Sequence, residues 1–274
     1  MPVLRLKDIT LPLGKKTYVM GILNVTPDSF SDGGLYFDPD SAYERAVLLK
    51  QQGVDIIDVG GQSTRPGHKT VPPEEEWERI EPVLVRLKGF DIPVSVDTFY
   101  PQVAARALEY GARMINDVSG VVSADMAEVI KRYNAAWVIM HNGGIPEGQW
   151  APLYVHNWLK EAAHLAIELG IGSECICLDP GIGFGKDVRQ NHQLILNTAS
   201  VKVEGFAYLL AASRKRCIKI PAGNCEFNQC DSGTVAAHTI GILGGADIIR
   251  AHDGFGGVQA ARVADAIRFS DIEG

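Results

Sequence analysis

Six polar side chains stand at or just beyond the ends of apolar runs spread across the whole chain: Asn24, Asp97, Asn116, Asp179, Lys215 and Arg250. Carboxylates and amides accept hydrogen bonds, and ammonium and guanidinium groups donate them. Gathered on one surface, such a set would line a polar pocket. Arg65, Lys215, Arg250 and His252 would give that pocket cations for a small anionic ligand. Two loops add to it. Asn24–Gly34 is dense in short polar side chains and glycine, and Gly60–Gly67 places a single arginine, Arg65, in a proline-stiffened turn suited to a phosphate or carboxylate.

What could gather them is the pattern of the runs themselves. They read Tyr18–Asn24, Asp55–Gly61, Pro93–Asp97, Arg113–Asp117, Ala136–His141, Cys175–Asp179, Phe206–Ser213 and Ala246–Asp253. Between most of them lie segments of helical periodicity, so the chain repeats strand, polar tip, helix. A single (β/α)8 TIM barrel over residues 1–274 follows, with all the strand tips on one rim. Helices are expected from Asp38 to Gln52 with Gly53 as stop, from Pro72-Pro73 with Glu74–Glu76 in the first turn, and from Tyr100 to Tyr110. Two more are expected from Leu159 to Leu169 and from Thr234 to Leu243. The leftover Met1–Lys16 alternates around Leu13-Gly14-Lys15 and reads as a short N-terminal hairpin closing the barrel floor.

Composition sets the outer limits. With 46% hydrophobic and 22% charged residues in 274, the chain can bury a large core. A net charge of −7 argues against nucleic acid as a general partner. No run approaches the roughly 18 apolar residues of a membrane span. The five cysteines are an odd number without a CxxC pair, and no signal-peptide pattern is present, so free thiols in a cytoplasmic protein are expected. Cys217, Cys225 and Cys230 fit no zinc spacing.

The loops carry a resemblance. MGILNVTPDSFSDGG (Met20–Gly34) and GGQSTRPG (Gly60–Gly67) are similar to the two signature loops of the dihydropteroate synthases, pterin-binding enzymes of folate synthesis. The likeness continues through SVDTF (Ser95–Phe99), INDVSG (Ile115–Gly120), LDPGIGFGK (Leu178–Lys186), SRKR (Ser213–Arg216) and IIRAHD (Ile248–Asp253), in the family's order and over nearly the whole chain. The resemblance implies a transferase that joins a hydroxymethyl-dihydropterin diphosphate to para-aminobenzoate, giving dihydropteroate and diphosphate. It implies a pterin site of Asp97, Asn116, Asp179 and Lys215, and a diphosphate site of Asn24, Arg65, Arg250 and His252. The para-aminobenzoate site would comprise Thr64, Arg65, Pro66, Phe184 and Ser213. Asp97, Lys215, Arg65 and Asn24 would carry the reaction, with Asn24 helping to hold Mg2+. A homodimer and sulfonamide sensitivity belong to the same expectation.

Some positions depart from the family pattern. Gln62 stands where Glu is usual, Ala211-Ala212 where Gly is commoner before the serine, Gly254 where Val is usual, and Glu147–Trp150 replaces a Met-Gln ending. Two other readings use the same strand-end residues: a non-catalytic or divergent pterin-binding paralogue, and a corrinoid-dependent methyl-tetrahydrofolate methyltransferase. The first would lose Arg65, Arg250 or His252, and the second lacks the two signature loops; this chain retains all of these features.

Overall fold

In a parallel barrel, alternation along each strand sends one set of side chains inward and the other toward the surrounding helices. A computed structural model of the chain, describing residues 2–26, 38–62 and 70–270, follows that rule closely. A first antiparallel pair, β1 (Val3–Leu6) and β2 (Ile9–Pro12), precedes the barrel. The barrel strands are β3 (Tyr18–Asn24), β4 (Ile56–Gly60), β5 (Val94–Asp97), β6 (Met114–Asp117), β7 (Ala136–Met140), β8 (Ile176–Asp179), β9 (Ala207–Leu210) and β10 (Ile248–Ala251). They close in the order β10-β3-β4-β5-β6-β7-β8-β9, every neighbouring pair parallel. Outward residues such as Val19, Ile57, Val96, Ile115, Trp137 and Leu178 join the core beneath the helices.

Those helices are α1 (Pro39–Gln51), α2 (Pro73–Arg86), α3 (Pro101–Glu109), α4 (Ala124–Tyr133), α5 (Ala151–Glu168), α6 (Val188–Leu196), α7 (Thr198–Val201), α8 (Arg216–Lys219), α9 (Asp231–Leu243) and α10 (Gly254–Arg268). Local chemistry explains their starts. Asp38 accepts from the backbone N–H groups of Asp40 and Ser41 at the head of α1, and Glu74, Glu75 and Glu76 lie in the first turn of α2. The fourth expected helix starts well before Leu159. Pro152 suits a first turn, and Ala151, Pro152 and Val155 extend the buried stripe of Leu159, Ala162 and Ala166. Its end is as expected, because Gly170 takes φ +90° just beyond it.

The hairpin is present, but its turn is not at Gly14. Leu6 pairs with Ile9, so the reversal falls at Lys7-Asp8, with Lys7 at φ +58°. Alternation alone could not choose between the two turns; Gly14 instead directs the chain from β2 toward the first barrel strand. Leu4, Leu6, Leu11 and Leu13 pack beneath the barrel against Tyr18, Met20, Ile56, Met114 and Ile248, which makes the floor dry and apolar. Among the described residues, no helix is long and apolar enough to cross a membrane.

Leu6 is fully buried in that floor. Leu6→Ala should therefore cost about 2–5 kcal/mol of stability. Urea unfolding measures this directly, and a loss below about 0.5 kcal/mol would show that the hairpin does not seal the barrel.

Candidate active site

Strand register brings the tips together. Asn24 is level with Gly60, Gly60 with Asp97, and Asp97 with Asn116, so these residues form one row across β3, β4, β5 and β6. A Cβ at Gly60 would lie 3.6 Å from both the Asn24 amide oxygen and the Asp97 Cβ, so the two side chains flank the same point of β4. One layer deeper on β4 is Asp58, fully buried, which residue pattern alone did not single out. It accepts from Asn116 Nδ2 at 3.1 Å and from Arg250 Nε at 2.6 Å, while Arg250 Nη2 donates to Asp97 at 2.9 Å. One guanidinium thus ties two carboxylates to the last strand of the barrel. The signal that could have found Asp58 is its place in an otherwise apolar parallel strand, where a charged residue must have a buried partner.

The network is not closed. Among the described residues, Asp58 Oδ1, Asp97 Oδ1 and Asn116 Oδ1 are buried acceptors with no hydrogen-bond partner, and Ser95 Oγ, level with Asp58 on β5, is likewise unpartnered. Buried polar atoms are rarely left this way. Two of these residues, Asp58 and Asp97, share the Arg250 guanidinium and a third, Asn116, is bonded to Asp58, an arrangement suited to a ligand edge rich in N–H donors. Burial pushes the Asp97 carboxyl up, with Arg250 opposing the rise and Asp58 and Glu76 adding to it. Burial would lower the Arg250 pKa, but Asp58 and Asp97 hold it above its ordinary value.

Asp179 ends β8 on the opposite side of the mouth, where its Oδ1 accepts from the Gly181 N–H at 2.7 Å. Burial raises its pKa, against the pull of Lys215. Lys215 donates to the carbonyl of Ile182, and its Nζ lies 4.7 Å above the Phe184 ring. Burial lowers the Lys215 pKa to about 8, and Asp179 limits the fall. The loop between β8 and α6 is pressed against the loop after β7: a Cβ at Gly181 (φ +67°) would sit 2.0 Å from the His141 carbonyl oxygen. Lys186 fastens the two loops, its ammonium donating to His141 O at 3.2 Å, Gly181 O at 2.9 Å and Phe184 O at 3.0 Å. That lysine belongs to the LDPGIGFGK segment, yet spacing held no sign that it turns back on its own loop.

Ser213 and His252 meet where β9 and β10 end. Ser213 Oγ is 3.0 Å from His252 Nδ1 and accepts from the His252 N–H at 3.1 Å. Arg250 and His252 stand two residues apart at the end of β10 but enter different surroundings: Arg250 the carboxylate network, His252 the neighbourhood of Ser213. At the end of β6 strand alternation separates two adjacent polar residues. Asp117 follows Asn116 yet turns away from the barrel to accept from the Ser119 N–H and Trp137 Nε1, a purely structural role. Thr64, Arg65 and Pro66 lie outside the described residues, as do positions 27–34 of the first loop.

Two of the departures, Gln62 and Gly254, find local reasons; nothing in the structure explains Ala211-Ala212 or Glu147–Trp150. Gln62 Nε2 donates to Glu76 Oε1 at 3.1 Å, and Thr98 Oγ1 donates to Glu76 Oε2 at 2.8 Å, so a second carboxylate at position 62 would face Glu76 directly. A Cβ at Gly254 would fall 2.6 Å from Gln52 Oε1, which leaves no space for a branched side chain. Ala211 and Ala212 are both buried. Trp150 caps the start of α5 and stays exposed.

For a divalent cation the donor set is sparse. Among the described residues, no trio of His, Cys, Asp and Glu side chains could hold a metal ion. The amide oxygen of Asn24 at the rim is the kind of single protein ligand that Mg2+ accepts when phosphate oxygens and water complete its shell.

Two outcomes test the electrostatics. Arg250→Met should leave two buried carboxylates without their cation, costing about 3–5 kcal/mol near pH 8. Near pH 5 the loss should be smaller, because the Asp97 carboxyl, raised to about 7 by burial, is protonated there. Urea unfolding at both pH values checks this, and a pH-independent loss would point to packing instead. Glu76 is the second case: burial raises its pKa from 4.5 to about 7, against its bonds from Thr98 and Gln62. The folded state therefore binds the extra proton, and the wild-type stability it confers below pH 4.5 is lost as pH rises to about 7. Glu76→Gln should flatten that part of the stability–pH curve, by on the order of 3 kcal/mol in total.

Comparison with known proteins places these features in context. The pterin binding enzyme family matches residues 20–252. The dihydropteroate synthase of Clostridium beijerinckii is 44% identical over 258 residues, spanning 93% of this chain and 96% of that one. Among solved structures, the Xanthomonas albilineans dihydropteroate synthase with 4-aminobenzoic acid superposes with a TM-score of 0.91 at 38% identity, covering 97% of this chain and 98% of that one. The dihydropteroate synthase of Clostridium difficile, in the presence of pteroic acid, gives 0.88 at 43% identity over 94% and 98%.

Proposed function

This chain belongs to the pterin-binding enzyme family and, within it, to the dihydropteroate synthases, and from that premise we infer that it joins a hydroxymethyl-dihydropterin diphosphate to para-aminobenzoate, releasing diphosphate and dihydropteroate. The observation that carries the reading is the cluster of unpartnered acceptors on Asp58, Asp97 and Asn116. A pterin presents a guanidine-like edge of donors beside a carbonyl. Its donors match those acceptors and Asp179, and its carbonyl matches the Lys215 ammonium.

The chemistry then needs placement more than a nucleophile from the protein. The bond between the pterin methylene carbon and the diphosphate oxygen breaks with its electron pair going to oxygen. Asp97 and Asp179 stabilise the delocalised pterin cation left behind, because both carboxylates are shielded from water and already in position. Arg65, His252 and the N–H groups of Arg250 not used by Asp58 and Asp97 meet the leaving diphosphate. Asn24 would be the protein ligand for Mg2+, which would supply positive charge toward the leaving diphosphate. The aromatic amine, oriented by Phe184, Ser213 and the residues Thr64, Arg65 and Pro66, attacks the methylene carbon and gives its proton to water or to the released diphosphate. Lys186 and Lys215 hold the Phe184 loop that forms one wall of this second pocket.

A homodimer acting in the cytoplasm accompanies this proposal, and sedimentation of the purified chain tests the dimer. The reaction is tested with purified protein, Mg2+, the pterin diphosphate and labelled para-aminobenzoate; labelled dihydropteroate is the expected product, and its absence would refute the assignment. Asp97→Ala and Asn116→Ala should each weaken pterin affinity by about 1–3 kcal/mol, since each removes an acceptor from a buried donor edge. Calorimetry finding both affinities unchanged would place the pterin elsewhere.

A further inference from the structure

Two cysteines outside the pocket stand in an unusual relation. Cys225 Sγ and Cys230 Sγ are 2.9 Å apart, closer than ordinary sulfur contact, although both are free thiols. A disulfide requires about 2.05 Å, so a small movement suffices. Cys225 is partly exposed, and Cys230 is buried with its thiol directed to the Glu226 carbonyl at 3.2 Å. The residues between them form one short turn, Phe227–Gln229. Cys217 is buried nearby in sequence, but no metal-binding trio exists among the described residues, so the pair reads as a dithiol.

The pair also sits at a structural junction. Cys230 immediately precedes α9, whose first residue, Asp231, holds Arg214 in a fork, with Nε at 2.8 Å and Nη2 at 2.7 Å. The Arg214 N–H donates to Thr234 Oγ1 at 3.1 Å in the same first turn. Arg214 takes φ +54°, a left-handed conformation uncommon for a non-glycine residue. Its bonds to Asp231 and Thr234 tie that conformation to α9, and the residues on either side of Arg214 are Ser213 and Lys215. The head of α9 therefore fixes the backbone that presents both of them to the pocket.

We propose that Cys225 and Cys230 form a reversible disulfide site, oxidised by a low-molecular-weight disulfide such as glutathione disulfide and coupled to the substrate loop through Asp231 and Arg214. The partly exposed Cys225, as its thiolate, attacks one glutathione sulfur, forming a mixed disulfide and expelling glutathione thiolate. Cys230 then gives up its proton to a thiolate or to water, attacks the Cys225 sulfur and expels the second glutathione. Two protein thiols are oxidised to one disulfide, and one glutathione disulfide is reduced to two glutathiones. Drawing Cys230 toward Cys225 shifts the first turn of α9 and with it the fork on Arg214.

The chemical half of the proposal is independent of the enzymatic reading; the coupling half rests on it. The full chain is incubated with glutathione disulfide, its remaining thiols are alkylated, and the peptide containing positions 225–230 is weighed. The expected result is a peptide two hydrogens lighter, restored by dithiothreitol, while Cys230→Ser halts at one glutathionyl group on Cys225. Turnover of the oxidised wild type should fall several-fold relative to the reduced protein, whereas Cys225→Ser should show no such difference. Two alkylated cysteines at every glutathione ratio would overturn the site, and a disulfide formed with no change in turnover would overturn the coupling. A reduced protein that makes no dihydropteroate would refute the enzymatic reading while the mass result still decides the disulfide.

Discussion

The arrangement of this barrel turns on one buried cation. Arg250 is mostly enclosed, and it bonds Asp58 and Asp97, two carboxylates from strands that are separated from β10 by β3 or more. Charges so enclosed are tolerable only when paired and hydrogen-bonded. The pairing fixes where the acceptors point, since Asp58 also orients the Asn116 amide by accepting from it. The apolar hairpin floor below and the polar mouth above are two halves of one interior: dry where only packing is needed, charged where a ligand must be read.

Around that cation the loops are held by backbone acceptors as much as by side chains. Lys186 gathers carbonyls from two loops, and Lys215 takes a carbonyl of the second. Arg214 is fixed to α9 by Asp231 and Thr234. Each is a cation satisfied by a neighbouring loop or helix, so displacement of one element is felt in the next. Such mutual fastening gives the site firm placement, which suits a reaction in which charge must be stabilised and two substrates aligned.

Much of this was legible in the residues. The strand bounds differ from the apolar runs only near their ends, because parallel strands covered on both faces must be apolar along their length. Helix ends followed from local rules at Asp38 and Gly170. The hairpin turn and the start of α5 were misplaced, since each depends on what the segment packs against. Short elements such as α7 and α8 left too few residues for periodicity to show.

The sequence by itself determined the class of the fold, the strand tips and, through several ordered motifs, the family. These are properties of local pattern and of residue type at fixed spacing. Tertiary structure alone decided which carboxylates face one another, because that depends on register between strands distant in sequence. Asp58 became part of the site when alternation turned it inward beside Arg250, and Asp117 left it when the same alternation turned it toward Trp137. The meeting of Cys225 with Cys230, the return of Lys186 to its own loop, and the contact between Gln62 and Glu76 were settled in the same way. Distance and direction between side chains are set by packing, and no one-dimensional pattern encodes them.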